Sequence, residues 1–261
     1  NMGYPTVFPT GVLVYNKDKA YNGYTIYPSA KGALLIDMNG NEVNLWAGLG
    51  GFPNKILPGG YVMGTTGERG GKYAYQDQLD LVQVDYDGNI VWKFDHNELI
   101  ADPGKEPTWQ ARQHHDYQRE GNLLVFDNGG EGGYGNPNPS APTGNNNAHR
   151  DYSRVLEFDP ITLEIIWQYT PLEAGNLLFT DASKFYSSYI SSAQRLPNGN
   201  TLITEGSDGH LIEVTPEHEI VWEYVNPYFK NIGGNFKMNM VYRAYRTPYE
   251  WVPQATHAEE V

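Results

Sequence analysis

Apolar and polar residues alternate along this chain in short runs, and the runs are cut by Gly, Pro, Asn and Asp. Alternation with a period of two marks a half-buried strand, whereas the i, i+3, i+4 spacing of long amphipathic helices is scarce here. Four stretches repeat one plan: residues 36–46 (IDMNGNEVNLW), 84–94 (VDYDGNIVWKF), 158–169 (FDPITLEIIWQY) and 214–224 (VTPEHEIVWEY). Each predicts a strand, a polar turn and a second strand carrying Trp. Asn39-Gly40 and Asp87-Gly88 are hairpin turn chemistry, because glycine accepts positive φ without steric cost.

A second unit precedes three of these hairpins, at residues 54–67 (NKILPGGYVMGTTG), 117–129 (YQREGNLLVFDNG) and 192–206 (SAQRLPNGNTLITEG). It reads as strand, Pro/Asn/Gly turn, strand. Joined, the two units make a four-stranded antiparallel meander repeated at the spacing of propeller blades. The expectation is an all-β fold, a β-propeller of about five blades with four or six as alternatives. Blades fall near 29–50, 51–97, 110–171 and 187–227. Residues 11–15, 24–27 and 241–246 combine into a closing blade built from both chain ends, which removes open sheet edges. The whole of 1–261 is then one domain, with 254–261 a disordered tail. The stretch 129–147 is rich in Gly, Asn and Pro and reads as a long loop.

Composition narrows the functions. The chain has 261 residues, 39% hydrophobic, with mean hydropathy −0.56 and abundant Gly (29), Pro (17) and Tyr (20). No apolar run approaches the ~20 residues of a membrane-spanning helix, so a soluble protein without a membrane span is expected. The net charge of −13 argues against nucleic acid or anionic lipid as a partner. Cysteine is absent, which removes disulfides, thiolate metal sites and cysteine nucleophiles. The first residue is Asn1 and no signal peptide is visible, which fits a trimmed or processed chain.

In a propeller the innermost strand of each blade lines the axis, and here that strand precedes the turn ending in Gly-Asn. Its members are 52–56, 113–118, 189–194 and 242–246. His114 and His115 therefore fall at the channel mouth, with one of the two pointing inward and Asp116 on the same side as His114. The matching positions are Asn54-Lys55 in the second blade and Ser192-Ala193 in the fourth. Blade packing by a histidine–carboxylate pair would explain such a histidine equally well. His96, His210 and His218 read as structural or surface residues, and the four hairpin tryptophans as blade core. Around the same axis stand Arg112, Asp127, Asn128, His149, Arg150, Glu205, Arg243 and Arg246. Arginine offers forked donors to an oxyanion, and histidine serves as nucleophile or acid/base near neutral pH. Tyr117, Tyr189, Tyr242 and Tyr245 would stack on an aromatic substrate.

These motifs, together with GVLVYNKDKAYNGYTIYPS and ALLIDMNGNEVNLW at the front, HHDYQREGNLLVFDNGG in the middle and VYRAYRTPYEWVPQ at the end, resemble the arylsulfotransferase (aryl-sulfate sulfotransferase, ASST) family over nearly the whole chain. The resemblance implies an axial active site that transfers a sulfuryl group from an aryl sulfate to a phenol through a sulfated histidine, without a nucleotide donor. It implies His115 or His114 as nucleophile, His149 as a second histidine, and Arg150, Arg112 or Arg243 neutralising the sulfuryl oxygens. It also implies export, so a periplasmic or secreted protein is expected. The substrate-binding set is Arg112, Tyr117, Tyr189, Glu205, Arg243 and Tyr242. No cofactor is expected and the partner is a small aromatic or anionic substrate, for a monomer or homodimer. Two other readings stay open. One is a metal-assisted hydrolase or lyase using His114, His115, Asp116, His149 and Glu205 with a catalytic divalent metal, or carrying a structural Ca²⁺. The other is a non-catalytic propeller that binds a ligand or a protein.

Overall fold

A computed structural model of the chain describes residues 9–50, 53–66, 81–94, 122–127, 152–159, 162, 164–187, 190–256 and 259–260. These residues form an all-β structure of antiparallel sheets, with helical structure confined to Leu178–Asp181 and three short 3₁₀ turns. The strands of the first sheet are β2 (Tyr24–Ser29), β3 (Gly32–Ile36), β4 (Glu42–Trp46) and β18 (Tyr245–Thr247), ordered β18-β2-β3-β4. The second runs β5 (Lys55–Leu57), β6 (Tyr61–Gly64), β7 (Leu81–Val84), β8 (Ile90–Phe94). The third contains β9 (Leu123–Asp127), β10 (Arg154–Phe158) and β11 (Ile165–Tyr169). The fourth is β12 (Ser192–Arg195), β13 (Thr201–Glu205), β14 (His210–Val214) and β15 (Ile220–Val225), extended at its outer edge by β1 (Gly11–Tyr15). A separate ribbon joins β16 (Lys230–Gly233) to β17 (Phe236–Met238).

The described residues thus hold four sheets of three or more strands. The two chain ends do not build a separate closing sheet. Instead β18 pairs with β2, Tyr245 opposite Ile26 and Thr247 opposite Tyr24, and completes the first sheet. β1 goes elsewhere, pairing with β15. The reason is that the first hairpin, β3–β4, supplies only two of its sheet's four strands, and β2 and β18 fill the remaining places.

The hairpin turns form for local reasons. Asp37 accepts from the backbone N–H and side-chain amide of Asn41 at 2.8 and 2.9 Å, and Asp85 does the same with Asn89 at 2.8 and 3.0 Å. Those bonds hold the Asp85 carboxyl below the usual aspartate range. Gly40 and Gly88 follow at φ of 81° and 88°. In the fourth hairpin His218 occupies the corresponding place at φ 73°, where its ring packs against Trp167 and Tyr169.

Both faces of the sheets are used. Along β3, Leu34 and Ile36 join a core with Leu202, Leu211 and Trp222 of the fourth sheet. The alternate residues Ala33 and Leu35 join Ile56, Val62 and Val82 of the second sheet. Val155 and Tyr169 of the third sheet pack with Ile203, Ile212 and Val214 of the fourth. Period-two side chains on twin-buried strands account for this division. The hairpin tryptophans stitch neighbours together: the indole N–H of Trp46 donates to Asp85 O (2.9 Å), that of Trp167 to Pro216 O (3.1 Å) and that of Trp222 to Met38 O (2.9 Å). Trp46 and Trp222 are buried, whereas Trp92, on edge strand β8, is 46% exposed.

Candidate functional site

One strand from each of the four larger sheets contributes to a cavity of about 900 Å³. Lys55–Leu57 of β5, Leu124 and Val125 of β9, Ala193–Arg195 of β12 and Tyr245–Thr247 of β18 all line it. Its size suits a small organic ligand. Among the described residues, Lys55, Arg195, Arg243, Arg246 and Glu157 are the charged ones that line it.

Arg195 and Arg246 are paired with carboxylates. Arg195 pairs with Glu157 at 2.5 Å, donates to Gly199 O and Thr201, and lies over the Trp167 ring at 4.7 Å. Burial opposes ionisation of Glu157, but hydrogen bonds from Asn122 (3.0 Å) and Arg195 hold its carboxyl below the usual range. This ion pair ties the third sheet to the fourth. Arg246 is buried. It donates to Thr25 Oγ1 (2.7 Å), Tyr21 O (2.6 Å) and Glu213 (3.0 Å), beneath the Trp222 ring. Glu213 also accepts from Tyr21 N and Asn200 Nδ2. The Gln194 side-chain amide completes the join, donating to Arg246 O at 3.0 Å and accepting from Arg246 N at 2.8 Å. Gln194 thereby imitates a strand partner for β18.

Lys55 and Arg243 share an aromatic neighbour. The ammonium of Lys55 lies 5.2 Å from the centre of the Tyr245 ring, and the Arg243 guanidinium 4.9 Å from it. Sequence reasoning singled out Arg243 but not Lys55. The hairpin registers explain why: Leu57 faces Tyr61 across residues 58–60, as Leu196 meets Asn200 across 197–199. Lys55 is therefore the counterpart of Gln194, and Asn54 the counterpart of Ala193, one place away from the sequence expectation.

Of the other expected site residues, Glu205 is 3% exposed and accepts from Tyr186 N at 2.6 Å and engages His210 Nδ1 at 2.8 Å. His210 Nε2 meets Glu223 at 2.8 Å. Burial opposes a charge on this imidazole, but its two carboxylate hydrogen bonds outweigh that and raise its pKa to about 10. Asp208, close by, is raised to about 6 by burial and by Glu205. The equivalent place in the third sheet holds another acid–base pair, Arg154 with Asp127 at 2.9 Å. The Tyr242 carbonyl accepts from Ser191 N at 3.2 Å. Ile190 and Ser191, just ahead of β12, stand at φ 55° and 84°, a strained conformation for residues with side chains. His114, His115, His149, Arg150, Arg112, Tyr117, Tyr189 and Asp116 lie outside the described residues. Among the described residues no helix is long and apolar enough to cross a membrane, and no group of three or more His, Asp or Glu is placed to hold a metal.

The family model Arylsulfotransferase (ASST) matches residues 74–243, more than half of the chain. No curated protein matches. Among solved structures, a protein of unknown function from Bacteroides caccae aligns over 80% of this chain at 10% identity and a TM-score of 0.21, too low to bear on the fold. The chain spans about 60% of that protein's length.

Proposed function

Because the chain belongs to the arylsulfotransferase (ASST) family, we propose that it is a propeller enzyme that moves a sulfuryl group from an aryl sulfate to a phenolic acceptor through an axial histidine. The observation that carries this reading is the cavity to which strands of four sheets contribute, with Lys55, Arg195 and Arg243 among its described lining residues. Packing of sheet on sheet and the tryptophan bonds between neighbours support a propeller arrangement. In the repeat alignment His115 takes the place of Ala193, which lines the cavity, and His114 the place of Ser192, which is buried. His115 is accordingly the nucleophile of this reading, with His149, Arg150 and Arg112 completing its surroundings.

The chemistry balances in two steps. An imidazole nitrogen attacks sulfur, the S–O bond to the aryl group breaks, and the phenolate leaves with the electron pair. The acceptor oxygen then attacks the same sulfur, the N–S bond breaks, and the acceptor proton passes to a base. Positive charge around the sulfuryl oxygens stabilises both transition states. Action on an exported substrate, with the protein periplasmic or secreted, belongs to the same reading.

The test is brief incubation with 4-nitrophenyl sulfate, intact-mass measurement and peptide mapping. One sulfuryl adduct on the peptide holding His114 and His115, missing in His115→Ala and discharged by added phenol, is the expected result. An unmodified protein that releases no nitrophenolate overturns the reading.

A further inference from the structure

We propose that Trp251 and Tyr21 form an aryl subsite at the end of the cavity where β5, β12 and β18 run out, and that this subsite selects two-ring aromatic groups bearing oxygen acceptors over one-ring phenyl groups. The inference rests on the reading of this cavity as the substrate site and names the aryl group that fits it. Three observations lead to it. Trp251 and Tyr21 both line the cavity, beside Leu57, Leu196, Pro197 and Pro248, which end or follow those three strands. Their backbones are pinned. The Trp251 carbonyl, in the short 3₁₀ turn Tyr249–Trp251, accepts from Gly60 N at 2.6 Å, just past β5. Tyr21 N donates to Glu213 at 2.6 Å and its carbonyl accepts from Arg246 at 2.6 Å, while the nearby Lys19 O accepts from Asn200 Nδ2 at 2.8 Å in the turn after β12. Their polar tips are uncommitted. The indole N–H groups of Trp46, Trp167 and Trp222 each donate to a backbone carbonyl, but among the described residues the Trp251 indole N–H and the Tyr21 hydroxyl meet no hydrogen-bond partner.

These features set the ligand class. Trp and Tyr each join a flat apolar body to a polar tip, and a tip that is bonded inside the protein ties elements together, as the hairpin tryptophans do. A tip without such a bond, on a cavity wall, takes an oxygen of the ligand without breaking a bond of the protein. A cavity of about 900 Å³ lies near the top of the range for small-molecule sites, so a one-ring ester leaves much of it to water. A second ring removes that water from the leucine and proline wall. The two tips donate, so the arm that suits them carries carbonyl, ether or hydroxyl oxygens. With both backbones already fixed, little ordering is left for the ligand to impose. Trp251 is therefore a specificity-determining residue, remote in role from the group transfer itself.

Isothermal titration of the full chain with phenyl sulfate, 2-naphthyl sulfate and 4-methylumbelliferyl sulfate tests this. The naphthyl ester should bind about tenfold more tightly than the phenyl ester, and the umbelliferyl ester, with its ring and carbonyl oxygens, about threefold more tightly again. Trp251→Leu should cut the umbelliferyl-to-phenyl affinity ratio about tenfold. Trp251→Phe and Tyr21→Phe keep a ring, so each should hold most of the naphthyl gain and lose about threefold on the umbelliferyl ester alone. Circular dichroism checks that each variant folds, and the two phenylalanine variants carry the test if Trp251→Leu does not. A parent that binds all three esters equally or binds none, or affinity ratios unchanged in the folded variants, overturns the subsite. Ratios that behave as expected in a protein that forms no sulfuryl adduct would leave the subsite standing and remove the transfer reading. An adduct formed from phenyl sulfate by a protein with equal affinities would do the reverse.

Discussion

A histidine between two carboxylates has a charge state fixed by its neighbours. His210 sits between Glu205 and Glu223 with its side chain 19% exposed, and its pKa stands at about 10 against an ordinary 6.5. The folded state therefore favours the imidazolium. The stabilisation is present in full below about pH 6.5 and is lost as pH rises through about 10. His210→Gln should cost about 3 kcal/mol at pH 6, since it leaves the buried Glu205 and the partly buried Glu223 without the cation between them. The difference should shrink towards pH 10, read as the gap in Tm between parent and variant across that range. A gap that does not change with pH would show that the pair is not ionised. Sequence alone read His210 as structural or surface and Glu205 as a substrate ligand, and the structure joins the two by a hydrogen bond. Glu205 and His210 face each other across a hairpin, an i, i+5 relation that the strand register creates and that no composition signal reveals. Lys55 was overlooked for a related reason: its partner Tyr245 lies 190 positions further along the chain, and nothing in KILPGG announces it.

At the level of elements, the turns were readable and the neighbours were not. Asp-x-x-Gly-Asn encodes its hairpin within five residues, so 36–46 and 84–94 could be recognised locally. The tryptophans recur in every hairpin, yet their burial depends on what each sheet meets: Trp222 is fully buried and Trp92 is 46% exposed. The same logic grades their energetics. Trp222 donates to Met38 O, stacks on Tyr224 at 5.7 Å and supports Arg246, whereas Trp167 remains partly open. Trp222→Phe should destabilise by about 3 kcal/mol, combining a lost indole bond, an orphaned carbonyl and a void. Trp167→Phe should cost about 1 kcal/mol. Urea midpoints for the two variants decide the matter, and equal losses would mean the inter-sheet bond at Met38 is not a principal tie.

The whole molecule is joined at its ends, by β18 on β2 and β1 on β15, and buttressed by Arg246 with Glu213 and Gln194. Unfolding should consequently be one transition, with tryptophan fluorescence and far-ultraviolet circular dichroism coinciding in urea. Ending the chain at Ala244 should separate the two curves and lower the m-value; coincident curves in the truncated protein would show that the sheets hold together without the terminal strand. The same pairing has a consequence in time. Thr25 meets Arg246 across 221 residues of sequence. At a synthesis rate of 5–20 residues per second, the edge of β2 waits roughly 10–45 s on the ribosome before its partner strand emerges. Through that interval a β-edge with Tyr24 and Ile26 stands open to other strands. The nascent chain, rather than the finished protein, is thus the form most in need of a chaperone's protection.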